Sequence, residues 1–216
     1  MTRCSSIALA LVVASCVGTP TETVPVPADG RVTAESYAGR ITATVPAPVR
    51  QRAMRTTPGI YYFMAELGPD HTLLAGVVSE LFPSGDASAL AQRFAGLDDA
   101  ARLELVAAQI ALEERRSPGR QGAVLRSREQ LGQARPPQVA QGAVCEEHAL
   151  VAEDRQVPGH VGEPFVYRQR TYNCIHPRTH LPVQLHYSER YREASVVLRP
   201  AFESEAAFFF DSLQFD

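Results

Sequence analysis

The 216-residue chain contains no lysine and no tryptophan, so all 21 of its basic side chains are arginine. Without lysine there is no Schiff-base chemistry, no phosphate-loop lysine of an NTPase, no ATP-site lysine of a protein kinase and no Ser-x-x-Lys nucleophile. There is no Gly-x-Ser-x-Gly pentapeptide for a nucleophile elbow, and no HExxH, CxxC or zinc-finger spacing. No apolar run approaches the roughly 20 residues of a permanent membrane helix. A formal charge of -3 gives no reason to expect nucleic acid as a partner. What remains is ordinary: 45% hydrophobic and 21% charged residues, suited to one globular domain with appendages.

The amino terminus carries the most specific signal. Arg3 precedes an apolar run from Ile7 to Ala14 and then small residues, the composition of a secretory signal. Val13-Ala14-Ser15-Cys16 resembles the bacterial lipobox, in which an aliphatic residue and two small ones precede a cysteine. That resemblance implies cleavage before Cys16, acylation of its thiol (palmitate or a similar chain) and a lipid anchor. Acyl chains contribute about 0.8 kcal/mol per buried CH2, and two or more give stable attachment. Val17, not Asp, follows the cysteine, which by the same resemblance favours an outer membrane, facing the periplasm, if the host has two membranes. Residues 1–15 are thus expected to be signal, and 16–35 the lipidated cysteine with a Pro/Thr-rich stalk containing Pro20, Pro25 and Pro27. Residues 36–216 are expected to form a single globular domain.

Cys4 leaves with the signal and Cys16 carries lipid, so Cys145 and Cys174 remain and are expected to form one disulfide in an exported domain. Closing about 30 residues is worth roughly 3 to 4.7 kcal/mol in the chain-entropy model.

Along the domain, alternation predicts a strand over Arg40 to Val45, a polar connection from Arg50 to Pro58, and a hairpin of Ile60 to Leu67 with Thr72 to Phe82. Helices are expected over Ala87 to Phe94 and Asp99 to Arg115, with Asp86 and Asp98 as N-caps. From Arg115 to Arg135 there are six Arg against one Glu, with Gly and Pro, an exposed Arg-rich excursion reaching about 140 with a short strand at Ala123 to Arg126. Arg115, Arg116, Arg120, Arg126 and Arg128 make it a possible anion-contact surface for a lipid head group or glycan.

The last third predicts a hairpin of Phe165 to Ile175 with Leu181 to Tyr191. If His176 faces Leu181, Cys174 lies opposite Val183 and Tyr172 opposite Leu185, while Gln184, His186 and Ser188 face the other side. A strand over Ala194 to Leu198 and a helix with Phe202, Ala206, Phe209 and Leu213 on one stripe complete the chain. Five of six histidines fall between His148 and His186 without ligand spacing, so we expect no metal and no cofactor.

This order, with Ser212-Leu213-Gln214-Phe215 at its end, resembles the PsbP-like α+β domains of photosystem subunits and many bacterial lipoproteins. The resemblance implies an antiparallel sheet flanked by helices and a non-catalytic binding or assembly module, and it supplies no functional residue. The expectation is an envelope lipoprotein that is not an enzyme, held to membrane lipid through acylated Cys16, with an envelope protein or glycan as partner. The alternative is an envelope hydrolase or metal-dependent enzyme using the His-rich C-terminal region.

Overall fold

A computed structural model describes residues 21–81, 87–116, 123–133, 138–139, 141–155, 157, 160, 162–193 and 199–216. Its elements are, in order, β1 (Glu22–Val24), β2 (Arg31–Ser36), β3 (Gly39–Thr44), β4 (Arg52–Thr57), β5 (Ile60–Gly68), β6 (His71–Val78), α1 (Ala87–Phe94) and α2 (Asp99–Arg116). There follow β7 (Ala123–Gln133), β8 (Val144–Asp154), β9 (Phe165–Ile175), β10 (Pro182–Arg192), α3 (Phe202–Asp211) and β11 (Gln214–Phe215). Eight strands form one antiparallel sheet in the order β1-β4-β5-β6-β10-β9-β8-β7, and β11-β3-β2 form a second. The molecule is therefore richer in strand than an α+β domain flanked by helices.

One face of the large sheet meets the small sheet and α3. Phe63, Leu73, Val77, Tyr172, Val183, Leu185 and Tyr187 pack there with Ile41, Phe202, Phe209 and Phe210 in the main core. The apolar stripe of α3 is buried, and of the run Phe208-Phe209-Phe210 only Phe208 turns outward, at 51% exposure. Three consecutive rings exceed what one helical stripe can cover. Buried Gln138 holds the end of α3 by donating from Nε2 to the Leu213 carbonyl at 2.8 Å.

The β9–β10 hairpin has the register that its turn dictates: the His176 N–H donates to the Leu181 carbonyl at 2.9 Å, Cys174 pairs with Val183 and Tyr172 with Leu185. The turn packs closely, since a Cβ on Gly39 would lie 2.5 Å from the His176 ring. Cys145 lies directly opposite Cys174 on β8, and the two form a disulfide buried in the main core.

Three expectations need correction. The stalk is partly fold: Glu22–Val24 pairs with β4 at the sheet edge, and Arg31–Ser36 pairs with β3. Proline around a short edge strand removes no needed donor, so Pro25 ends β1 without preventing it. The segment Arg50 to Pro58 is not a connection, because β4 lies in it, its Ala53 facing the main core and Met54 the opposite side. The Arg-rich excursion is also built in, as α2 runs to Arg116 and β7 is an 11-residue edge strand paired with β8. Register shifts at Leu125/Ser127 and Gln130/Gly132 break its alternation, and such bulges also protect an edge against further pairing. Asp86 and Ala194 to Leu198 lie outside the described residues.

Candidate functional cleft

The second face of the large sheet is the unusual one. Strands normally alternate apolar inside with polar outside, yet here Gln169, Thr171, Asn173, Gln184, His186 and Ser188 are all buried. They share this face because the register places Asn173 beside Gln184, Thr171 beside His186 and Gln169 beside Ser188. The Thr171 row runs on to His148 on β8 in one direction and to Gly76 and Tyr62 in the other. Gly76 is required there, because a Cβ would sit 2.3 Å from the His186 ring. Two apolar groups frame the polar rows, Met54, Tyr62 and Leu74 on one side and Leu150, Ala152 and Tyr167 on the other. Burial pushes the Tyr62 phenol up to about 12, helped by the neighbouring Tyr167.

Helix α2 covers part of this face, packing against β8, β9 and β10. It starts where Asp98 Oδ1 accepts the Ala101 N–H at 2.8 Å, an N-cap as the sequence predicts. Leu103 and Val106 join the main core. One turn later, Ala107 and Ile110, the latter also packed against the main core, line a half-open cleft of about 140 Å³. Its floor is Gln169, Thr171, Asn173 and Gln184, and His148, Leu150 and Arg128 line it toward β8 and β7.

The floor is a chain of neutral hydrogen bonds. Tyr167 donates to Gln169 Oε1, Gln169 Nε2 donates to Thr171 Oγ1 at 2.6 Å, and Gln184 Nε2 donates to Asn173 Oδ1 at 2.9 Å. Among the described residues, Asn173 Nδ2 and Gln184 Oε1 have no hydrogen-bond partner. The Thr171 hydroxyl proton likewise has no acceptor among them.

A second polar region lies toward the other end of the sheet and is ionic. Glu189, 0% exposed, receives His71 Nε2 at 2.5 Å on one oxygen and Arg168 Nε at 2.5 Å on the other. Arg168 also donates to the Arg199 carbonyl at 2.9 Å and stacks over Phe202 at 4.1 Å. Nearby, Arg192 bridges Asp70 and Glu163, with His160 between them at 3.7 and 3.5 Å. The Arg192 contact, more than the His160 one, holds the Glu163 carboxyl below the usual carboxylate range.

The sequence candidates fall apart in space. His148 contacts Glu146 at 3.2 Å, His180 reaches Arg102 at 3.4 Å, His176 is buried in the hairpin turn, and His160 belongs to the ionic region. Burial holds the His176 imidazole below its ordinary value. Among the described residues no three His, Cys, Asp or Glu side chains form a group fit for a metal. Arg126 bridges Glu193 at 3.0 Å and Glu153 at 2.5 Å. The Glu193 hydrogen bond and then the Glu153 one keep its guanidinium charged, and its neutralised charge has little left to attract an anion. Arg128 lines the cleft. The side chains of Arg115 and Arg116, and all of Arg120 and Cys16, lie outside the described residues. Sequence reasoning missed the cleft floor, because an alternation of Gln, Thr and Asn looks like a solvent face, and Gln184, His186 and Ser188 continue that pattern on the neighbouring strand.

No protein-family model matches the chain, and no curated protein does. Among solved structures it is similar to LpqN, described as involved in cell envelope biogenesis of Mycobacterium tuberculosis. Identity is 15%, the match covers 92% of this chain and 86% of that one, and the TM-score is 0.29. A likeness at that level fixes neither the fold nor the function of this chain.

Proposed function

We propose that the chain is an exported envelope lipoprotein, anchored through acylated Cys16, whose domain is a non-catalytic binding module with the cleft beneath α2 as its binding site. The lipobox-like Val13-Ala14-Ser15-Cys16 supports the anchor, and the buried Cys145–Cys174 disulfide suits an oxidising compartment outside the cytoplasm. Val17 after the cysteine favours the outer membrane where two membranes exist.

One observation carries the binding role. The ionic region pairs its carboxylates with Arg and His side chains, though Arg192 Nε has no hydrogen-bond partner among the described residues, whereas the cleft floor keeps hydrogen-bonding capacity at uncharged side chains that face the cleft. Preorganised neutral groups in a concave site recognise a ligand without transforming it.

The anchor is tested by Cys16→Ser, which should shift the protein from the detergent phase to the aqueous phase and abolish palmitate labelling; unchanged partitioning refutes lipidation. The rival hydrolase reading draws on Glu146, His148 and Thr171, which the β8–β9 register brings onto one face. Turnover of an activated ester that His148→Ala abolishes would establish the rival and overturn the non-catalytic role.

A further inference from the structure

We infer that the cleft beneath α2 binds an uncharged saccharide ring, recognised through its vicinal hydroxyls by Asn173, Gln184 and Thr171. This inference rests on the binding-module reading and gives it a ligand class.

The chemistry follows from what the floor leaves unused. Asn173, Gln184 and Thr171 are 4%, 3% and 8% exposed, so each is more than nine-tenths buried. The side chains are buried as a whole, while their unused atoms reach the open cleft, where a ligand can replace water on them. The two carboxamides are direct cross-strand neighbours and bond each other once, Gln184 Nε2 to Asn173 Oδ1. The pair therefore retains a donor, Asn173 Nδ2, beside an acceptor, Gln184 Oε1. If both amides were flipped, the unused donor and acceptor would only exchange places.

An adjacent donor and acceptor match two neighbouring hydroxyls, each of which both donates and accepts. A trans secondary amide fits worse, because its N–H and C=O point opposite ways. A carboxylate or phosphate fits worse still, since these anions offer no donor for Gln184 Oε1. The Thr171 hydroxyl, one pair along β9, supplies a further donor.

The remaining walls complete the match. Ala107, Ile110 and Leu150 give apolar contact opposite and beside the amides, as the C–H face of a sugar ring needs. Among the described residues the lining carries no carboxylate, and its one arginine, Arg128, lies toward β7, away from the amide pair's end of the floor on β9 and β10. His148 is occupied by Glu146 at 3.2 Å.

The test uses the purified full-length protein with its disulfide intact and five probes: diacetylchitobiose, galactobiose, maltose, glucuronic acid and decanoic acid. Isothermal titration should give at least one neutral disaccharide a Kd below about 1 mM, an ordinary strength for a small ligand. Asn173→Ala should weaken that binding at least tenfold. Ala107→Phe, which fills the cleft from the helix side without touching the amides, should weaken it comparably while leaving the circular dichroism spectrum unchanged. The inference is overturned if no neutral disaccharide binds, if glucuronic or decanoic acid binds more tightly, or if Ala107→Phe leaves binding intact. Membrane partitioning of Cys16→Ser is read separately, so a failed saccharide and a failed anchor are told apart.

Discussion

Glu189 and Gln184 sit on the same strand, five residues apart, and both are buried, yet their surroundings differ. Glu189 has a partner on each oxygen, His71 and Arg168, and Arg168 is fixed in turn by the Arg199 carbonyl and the Phe202 ring. Gln184 makes one hydrogen bond and leaves its oxygen open on the cleft. A buried charge must be matched fully or the fold fails, so the ionic region reads as structure. A buried amide can stand partly matched at modest cost, which lets a protein hold capacity in reserve for a ligand. The contrast between closed and open polar regions, not the number of polar residues, separates scaffold from site.

The largest expected effect breaks the closed side. Glu189→Ala leaves Arg168 and His71 buried without their carboxylate, and urea unfolding should register a loss of about 3–5 kcal/mol. A loss below about 1 kcal/mol would mean that the network is not structural. Next comes the covalent tie under the cleft. Replacing both Cys145 and Cys174 by Ala should cost about 3 kcal/mol, close to 10 °C in thermal midpoint for a chain of this size, and reductant should change the parent protein but not the variant.

A smaller effect depends on pH. Burial depresses the His176 imidazole, so the unfolded state takes up its proton more readily than the folded state. Stability from this group is present above the unfolded value of about 6.5 and is lost as pH falls through it. His176→Asn should flatten the stability profile between about pH 7 and 5; an unchanged slope would assign it to other groups. The smallest effect belongs to the open side. Thr171→Val removes the acceptor of the Gln169 Nε2 hydrogen bond and should cost about 1 kcal/mol while reducing saccharide affinity in the same titration.

Much of the scaffold is legible in the sequence. The β9–β10 register follows from the six-residue turn between Ile175 and Pro182, and that register alone sets Cys174 facing inward and His186 facing away. The α2 start follows from Asp98, and the α3 stripe from helical spacing. The edges are not legible. β1 and β7 carry Pro nearby or Arg and Gln along their length, and bulges interrupt β7, so local pattern signals spacer or loop while pairing with β4 and β8 makes strand. The cleft floor is hidden for a related reason: Gln169, Thr171, Asn173 and Gln184 have the composition of a wet face, and only tertiary packing beneath α2 buries them. A cation pattern does not show the carboxylates that other strands bring to it, as Glu153 and Glu193 come to Arg126.

The most direct test of the contrast is the thermal midpoint of the double variant Asn173→Leu/Gln184→Leu, in which both carboxamides are replaced by apolar side chains of similar size. If the floor is capacity held for a ligand, removing it relieves an unmet demand and the midpoint stays level or rises. A fall of about 6 °C or more, on the scale of roughly 2 kcal/mol, would place these amides among the supports of the fold and contradict the account.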